Sequence, residues 1–352
     1  MSPTAAPWMT RTVPASIFEA LVRRHRLSPL AARVLAARGW QPGPALSDYL
    51  APQAVAPDPL ALTGAPEAAE RLWRAIDAGE RITVAGDYDV DGITGAALLK
   101  LFLEGAGATV DCHLPNRHQE GYGLQIEALR ELAAAGTRVL VTVDNGTTSL
   151  EEIAFAKTLG MDVIVTDHHQ PGPELPEAYA LLNPRLMVEP GPFAPLAGVG
   201  VAYQLTKAME ALRHPCQADA ALDLVAIGTI GDRAPLSGEN RRLVKLGLQR
   251  LAASPRAGLA ALCKIVNLEL GPNPGAEAIA LRLVPRLNAA GRMADPRLAL
   301  DLLLTEDPSA GARLAERLER LNRERQRLTR SIEAGAKALL EAGYDPEAPA
   351  IV

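Results

Sequence analysis

From about residue 80 the chain alternates between two spacings of apolar positions. Short runs rich in Val, Ile, Leu and Thr read as strands at Ile82–Ala85, Thr109–His113, Val139–Val143, Val163–Thr166 and Ala180–Leu182. Between them apolar residues recur every three or four positions, which predicts helices at Thr94–Glu104, Leu124–Ala134 and Leu150–Leu159. A further helix over Ala68–Ala78 leads into the first strand. Strands that are almost wholly apolar and separated by helices predict a parallel sheet covered on both faces. The expected fold is therefore α/β, a parallel five-stranded sheet flanked by helices.

The pattern changes after Asn183. A Pro/Gly-rich loop from Glu189 to Pro195 precedes helical patterns at Val199–Leu212, Ala218–Ile230, Asn240–Ala252, Ala276–Val284 and Pro296–Leu303. A long pattern from Pro308 to Glu341 follows, with Leu314, Leu318, Leu321, Leu328, Ile332 and Leu339 as its apolar positions. Its arginines (Arg313, Arg317, Arg320, Arg323, Arg327 and Arg330) are interrupted by glutamates and fall largely on one side. That side is either a solvated, ion-paired face or the flank of a nucleic-acid groove. Ahead of the sheet lie a loose arm from Met1 to Pro14, two short helical patterns at Ser16–His25 and Pro29–Ala37, and a Pro-rich connector from Pro42 to Pro66.

The organisation expected is an arm with short helices over 1–66, an α/β core over 67–185, a mainly helical remainder over 186–305 and a linker helix over 306–345. The closing Pro349-Ala350-Ile351-Val352 reads as the first residues of a strand, so 346–352 is expected to begin a further, truncated domain.

Composition narrows the class. The 352 residues are 48% apolar with 4% aromatic, enough for a large core, and the net charge of −5 requires any nucleic-acid contact to be a local basic groove. Cys112, Cys216 and Cys263 are too widely spaced for a metal knuckle or a disulfide framework. No signal-peptide pattern or membrane-length apolar run is present, so a soluble, cytoplasmic protein with no membrane role is expected. No coiled-coil seam is sustained, and a monomer is expected.

Acidic residues gather where the strands should end. Asp87, Asp89 and Asp91 follow the first strand at alternate positions, ahead of Gly92. Three carboxylates this close repel one another, and a bound cation removes the penalty. Asp144-Asn145-Gly146 follows the third strand, Asp167-His168-His169 the fourth, and Asp232 ends a helical pattern after Gly228. In a parallel sheet these carboxyl ends share one edge. Asp and His together make a mixed oxygen and nitrogen shell suited to manganese, and able to take magnesium or zinc. Asp167 is open to a second role, orienting a neighbouring histidine.

This ordered set resembles the DHH phosphoesterase superfamily and, within it, the RecJ family of single-strand-specific 5′→3′ DNA exonucleases. The resemblance is carried by Gly86-Asp-Tyr-Asp-x-Asp-Gly92, Pro115-Asn-Arg-x-x-Glu-Gly-Tyr-Gly123, Asp167-His168-His169, Ala234-Pro-Leu-x-Gly-Glu-Asn-Arg-x-Leu-Val244 and Pro285-Arg-Leu-Asn-Ala-Ala-Gly-Arg292. It spans roughly Leu46 to Leu340 and departs from the family pattern at Gly231 and Arg233. The resemblance implies two Mn²⁺ ions, with Mg²⁺ an alternative, on Asp89, Asp91, Asp144, His168 and Asp232, with Asp144 as the bridge. It implies that His169 faces the scissile phosphate and that Asp87 acts beside it or supports the ligand loop. Arg117, Tyr122, Arg286, Asn288 and Arg292 are the expected DNA contacts, the arginines through bidentate phosphate pairing and Tyr122 by stacking on a base. A single-strand-binding protein and a helicase are the partners it implies, in DNA repair and recombination.

Three other readings compete. The same metal site serves phosphodiesterases of short oligonucleotides, cyclic dinucleotides or pyrophosphate, which tend to be more compact. A replication scaffold of the same fold would have lost ligands, and none is missing here. A phospho-acceptor regulator has an acidic pocket but no reason for consecutive histidines.

Overall fold

The computed structural model describes residues 11–51, 56–117, 121–189, 191–213, 217–271 and 274–342. The loose arm up to residue 10, Glu120, Pro190, Cys216 and the segment 346–352 lie outside the described residues. The chain divides into two compact units, Met1–Ala56 and Pro57–Val352.

The first unit is helical: α1 (Ala15–His25), α2 (Pro29–Ala37) and α3 (Pro44–Leu50). Ser28 caps α2 by accepting from the Ala31 amide at 3.3 Å, with Pro29 at the first helical position, where its missing N–H costs nothing. Leu21, Ala32 and Leu46, one from each helix, are fully buried at the centre. The connector read from Pro42 thus contains a helix, its Pro44 standing at the first helical position.

In the second unit α4 (Ala65–Asp77) leads to β1 (Arg81–Gly86), α5 (Val90–Gly105), β2 (Thr109–His113), α6 (Ile126–Ala134), β3 (Thr137–Val143), α7 (Leu150–Thr158), β4 (Asp162–Thr166) and β5 (Ala180–Leu182). All five strands are parallel, in the order β2-β1-β3-β4-β5. The two-residue alternation of strand side chains sorts the core into layers. Ile82, Val84, Val139, Val141, Val143 and Ile164 face one side, where α4 and α5 pack. Ala85, Leu140, Val163 and Val165 face the other, against Leu129 of α6 and Ile153 and Ala156 of α7.

The helical remainder comprises α8 (Gly198–Leu212), α9 (Leu222–Gly231), α10 (Gly238–Ala253), α11 (Ala257–Ile265), α12 (Ala276–Arg282), α13 (Val284–Met293), α14 (Arg297–Leu304) and α15 (Pro308–Ala342). Trp73 donates its indole N–H to the Met209 carbonyl at 3.0 Å, tying α4 to α8. Two helices were not visible in the apolar spacing. α11 is short, and α13 contains Pro285 in its first turn and Gly291 further on, both of which argue against a helix in sequence. Gly291 is required there because a Cβ would stand 2.3 Å from the Tyr88 carbonyl oxygen. Along α15, Ala315 and Leu318 are fully buried, whereas Leu328, Ile332 and Leu339 are exposed. Among the described residues no helix is long and apolar enough to cross a membrane.

Candidate metal centre

Strand ends and helix ends deliver seven polar side chains to one edge of the sheet. β1 stops at Gly86 and the chain turns through Asp87-Tyr88-Asp89 into α5. Asp89 is the N-cap of that helix, its Oδ1 accepting from the amides of Asp91 at 2.9 Å and Gly92 at 3.3 Å. Asp91, fully buried, accepts from the Gly198 and Val199 amides at 2.7 and 2.9 Å, so one carboxylate of α5 caps the N-terminus of α8. Asn288 of α13 accepts from the Val90 amide at 2.8 Å and holds the same turn from above.

Beyond β3, Asp144 adopts φ +63°, a left-handed conformation that Asp and Asn tolerate better than other side chains. Asn145 donates its side-chain amide to the carbonyls of Ala85 and Val143, stitching the ends of β1 and β3 together. Beyond β4, Asp167 accepts from the amides of Thr147, His168 and His169 and from His169 Nδ1, the last at 2.8 Å. Three of these donors meet its Oδ1, and the Thr147 amide, from the loop after β3, meets Oδ2. Of the two roles open to it in sequence, Asp167 takes the orienting one, and it belongs to none of the donor groups described next.

Ligand-type atoms fall into three overlapping triplets, each within 4.8 Å: Asp91, His168 and Asp232; Asp87, Asp89 and Asp144; and Asp144, His168 and His169. His168 Nε2 lies 3.0 Å from Asp144, 3.8 Å from Asp91 and 4.0 Å from Asp232. All five residues expected as ligands meet here, together with Asp87 and His169. Asp144 and His168 each belong to two triplets, which is the placement a bridging side chain needs.

Electrostatics make this an unfavourable place for carboxylates alone. Burial, and then repulsion from Asp89, pushes Asp87 up to about 7, and its Oδ1 is buried without a hydrogen-bond partner. Burial also raises Asp91, with Asp232 and Asp89 adding to it, and raises Asp144, with Asp91, Asp89 and Asp87 adding to it. Asp167 behaves oppositely. Burial acts against its charge, but the bonds from His169 and Thr147 outweigh it and hold the carboxyl at about 2. His169 is raised by that hydrogen bond, whereas burial lowers His168. Carboxylates in excess, a part-buried imidazole and an orphaned carboxylate oxygen fit a pair of hard divalent cations.

A pH dependence follows from the sign of these shifts. A buried Asp87 raised from 3.8 to about 7 favours the folded state fully only below 3.8. That contribution is lost as pH rises to about 7, a cost of about 4 kcal/mol without a cation. His169, raised from 6.5, acts in the same direction above that value. Melting in chelator should therefore fall between about pH 5 and about pH 8. Added manganese or magnesium should raise Tm much more at the higher value, since the ion binds the ionised carboxylates. An equal gain at both values would remove these carboxylates as ligands.

The basic residues divide. Arg117 is exposed with its guanidinium 4.9 Å from the Tyr88 ring centroid, and Tyr122, 53% exposed, meets Tyr88 edge-on at 6.3 Å. This group stands directly beside Asp87 and Asp89. Arg286 pairs with Glu319 of α15 at 2.9 Å, so its Nε is engaged within the fold. Asn288 braces the acidic turn through its carbonyl oxygen. Arg292 is exposed at the end of α13, close enough to repel Arg325 of α15. Sequence reasoning missed Asn183 and Arg185. Asn183 donates to Thr147 Oγ1 and the His169 carbonyl at 2.9 Å each, and Arg185 Nε donates to the His168 carbonyl at 2.7 Å. An Asn-Pro-Arg run after a strand was the only signal they carried.

Residues 81–229 match the family described as DHH family, N-terminal domain. The chain is 39% identical over 327 residues to the single-stranded-DNA-specific exonuclease RecJ of Bacillus subtilis, covering 92% of this chain and 41% of that protein. It superposes on a crystal structure of exonuclease RecJ bound to manganese with a TM-score of 0.75 at 40% identity, covering 85% of this chain and 74% of the other. For RecJ from Thermus thermophilus in complex with Mn²⁺ the TM-score is 0.80 at 37% identity, over 95% of this chain and 47% of the other. The chain spans about half the length of the curated relatives it matches, or less.

Proposed function

The chain belongs to the RecJ family of DHH proteins, and from that premise we propose that it is a metal-dependent exonuclease, hydrolysing single-stranded DNA from its 5′ end by a two-metal mechanism. The observation that carries this reading is the convergence of Asp87, Asp89, Asp91, Asp144, His168 and Asp232 into triplets that share Asp144 and His168.

When bound, two divalent ions supply concentrated positive charge that polarises a phosphoryl oxygen and lowers the pKa of a nearby water. Everything else is done by the chain. Asp91, anchored on the α8 amides, and Asp89, anchored on its own helix, cannot swing away, so the donor set is pre-organised. Asp167 holds His169 through Nδ1 and leaves Nε2, on a ring 48% exposed, as the atom that meets a phosphate oxygen. Arg117 is placed for the phosphates of the bound strand, and Tyr88 and Tyr122 for its bases. No serine or cysteine nucleophile is required.

The test is digestion of matched 5′-labelled and 3′-labelled single strands with manganese, alongside a duplex and a chelator control. The 5′ label should be released first, from single strands only, and not in chelator. Hydrolysis of dinucleotides with long strands left intact would assign the centre to small substrates instead. Release of the 3′ label first would overturn the polarity.

A further inference from the structure

Charge is divided unevenly along the chain. Residues 1–56 hold six arginines and two acids, Glu19 and Asp48, a net +4, while the whole chain carries −5. The other residues therefore carry −9 and, apart from bound cations, repel a polyanion.

All six arginines of the first unit, Arg11, Arg23, Arg24, Arg26, Arg33 and Arg38, are exposed. Arg23 pairs with Glu19 at 3.1 Å. Arg24, Arg26, Arg33 and Arg38 have no carboxylate partner among the described residues. Helical spacing turns Arg23 away from the core face of α1, which is Ile17, Phe18, Leu21 and Val22, and Arg26 follows the helix as its left-handed C-cap. On α2, Leu30, Arg33, Val34 and Arg38 lie opposite the packed Ala32, Leu35 and Ala36. Leu30 and Val34 are 74% and 42% exposed, so the outer side of α2 is aliphatic with arginines along it.

The bland role for Arg23 and Arg24 is to complement the C-terminal end of the α1 dipole. Arg38, the C-cap of α2, has the same role open to it, and the Arg33 guanidinium lies 5.9 Å from the Phe18 ring centroid, but neither contact explains the scarcity of acids. On α15, by contrast, Glu319 takes both Arg286 and Arg323. What sets the first unit apart is its balance: six arginines stand against two acids there, whereas in the rest of the chain Asp and Glu outnumber Lys and Arg by nine.

We propose that the helical unit over residues 11–51 is a second nucleic-acid contact, which grips the sugar–phosphate backbone by charge without reading bases. Guanidinium groups bind phosphate oxygens, and neutralising phosphates releases condensed counterions. The choice of DNA as the polyanion rests on the proposed nuclease function. The contact sets how strongly a long strand is held.

The experiment uses the full chain carrying Arg24→Gln, Arg33→Gln and Arg38→Gln, with a charge-reversed Glu version beside it. Exposed positions make both variants safe for folding, which equal melting temperatures verify. Binding of a fluorescent 40-nucleotide dT strand is followed by anisotropy in Ca²⁺ across a salt series. Three lost phosphate contacts should reduce the slope of log Kd against log salt by about 2 and weaken binding about tenfold near 0.1 M salt. Digestion of the 40-nucleotide strand should slow in step with the loss of affinity. Unchanged slope and affinity in both variants would overturn the proposal. So would arginine-dependent binding to vesicles containing phosphatidylglycerol with DNA binding intact, which would make the face a lipid contact. A chain that binds DNA through these arginines but cleaves none keeps this inference and sinks the nuclease reading.

Discussion

Asp144→Asn is expected to abolish hydrolysis while leaving the fold intact. Asp144 sits in two of the three donor triplets, 3.0 Å from His168, and among the described residues no other carboxylate is placed to serve both. Removing only the hydrogen-bond partner of a metal ligand costs roughly 10–100-fold in affinity or activity. Losing a shared ligand should exceed that, to on the order of 10³ in rate. Asparagine is the informative replacement. It fills the same volume and tolerates the φ of +63°, where alanine would add backbone strain to the chemical effect. It also takes a negative charge away from Asp91, Asp89 and Asp87, so in chelator the variant should melt as high as the parent or higher. The pattern to be found is lost activity, retained chelator Tm and lost stabilisation by manganese. Retained activity would exclude a bridging Asp144. A collapsed Tm would make its role structural.

Gly92→Ala should cause the largest loss of stability among conservative changes near the site. A Cβ at Gly92 would stand 2.3 Å from the Asp87 amide nitrogen and 2.7 Å from its Cα, so backbone would have to move. The backbone that moves carries Asp87 and Asp89. Overpacking of this kind costs about 3 kcal/mol, a Tm drop on the order of 6–12 °C. Rotamer change cannot relieve it, because the opposing atoms are main chain. Gly105→Ala, at the far end of the same helix, is the matched control: a Cβ there meets nothing within 4 Å. Replacing that glycine should leave Tm unchanged or raise it slightly, by about 0.5 kcal/mol of stability. Equal behaviour of the two variants would show that the turn around Asp87 is more pliable than the close approach implies.

The sheet was legible in sequence because its strands are nearly all apolar and end in Asp, Gly and Asn. Period and punctuation there agree. Boundaries were less legible. The helix expected from Thr94 begins at Val90, since Asp89 as an N-cap turns the acidic run itself into the first helical turn. The PRLNAAGR stretch drew attention for its arginines, while its helical state was hidden by Pro285 and Gly291, both explained by local geometry that no one-dimensional pattern carries. The same holds for Arg286 and Asn288. Residue type marked them as phosphate binders, and only the packing of α13 reveals the Glu319 pair and the brace on Val90. What sequence could not contain was the link from Asp91 to the start of α8, which joins residues more than a hundred positions apart.

That link has an evolutionary corollary. Asp91 is both a ligand candidate and the cap on α8, so selection for the fold alone protects it, whereas Asp232, part-exposed at the end of α9, is protected only by chemistry. A lineage that gave up catalysis while keeping this architecture is expected to shed Asp232 early and Asp91 last. Counting surviving aspartates would therefore overstate the activity of such a descendant, and the residue to inspect first is Asp232.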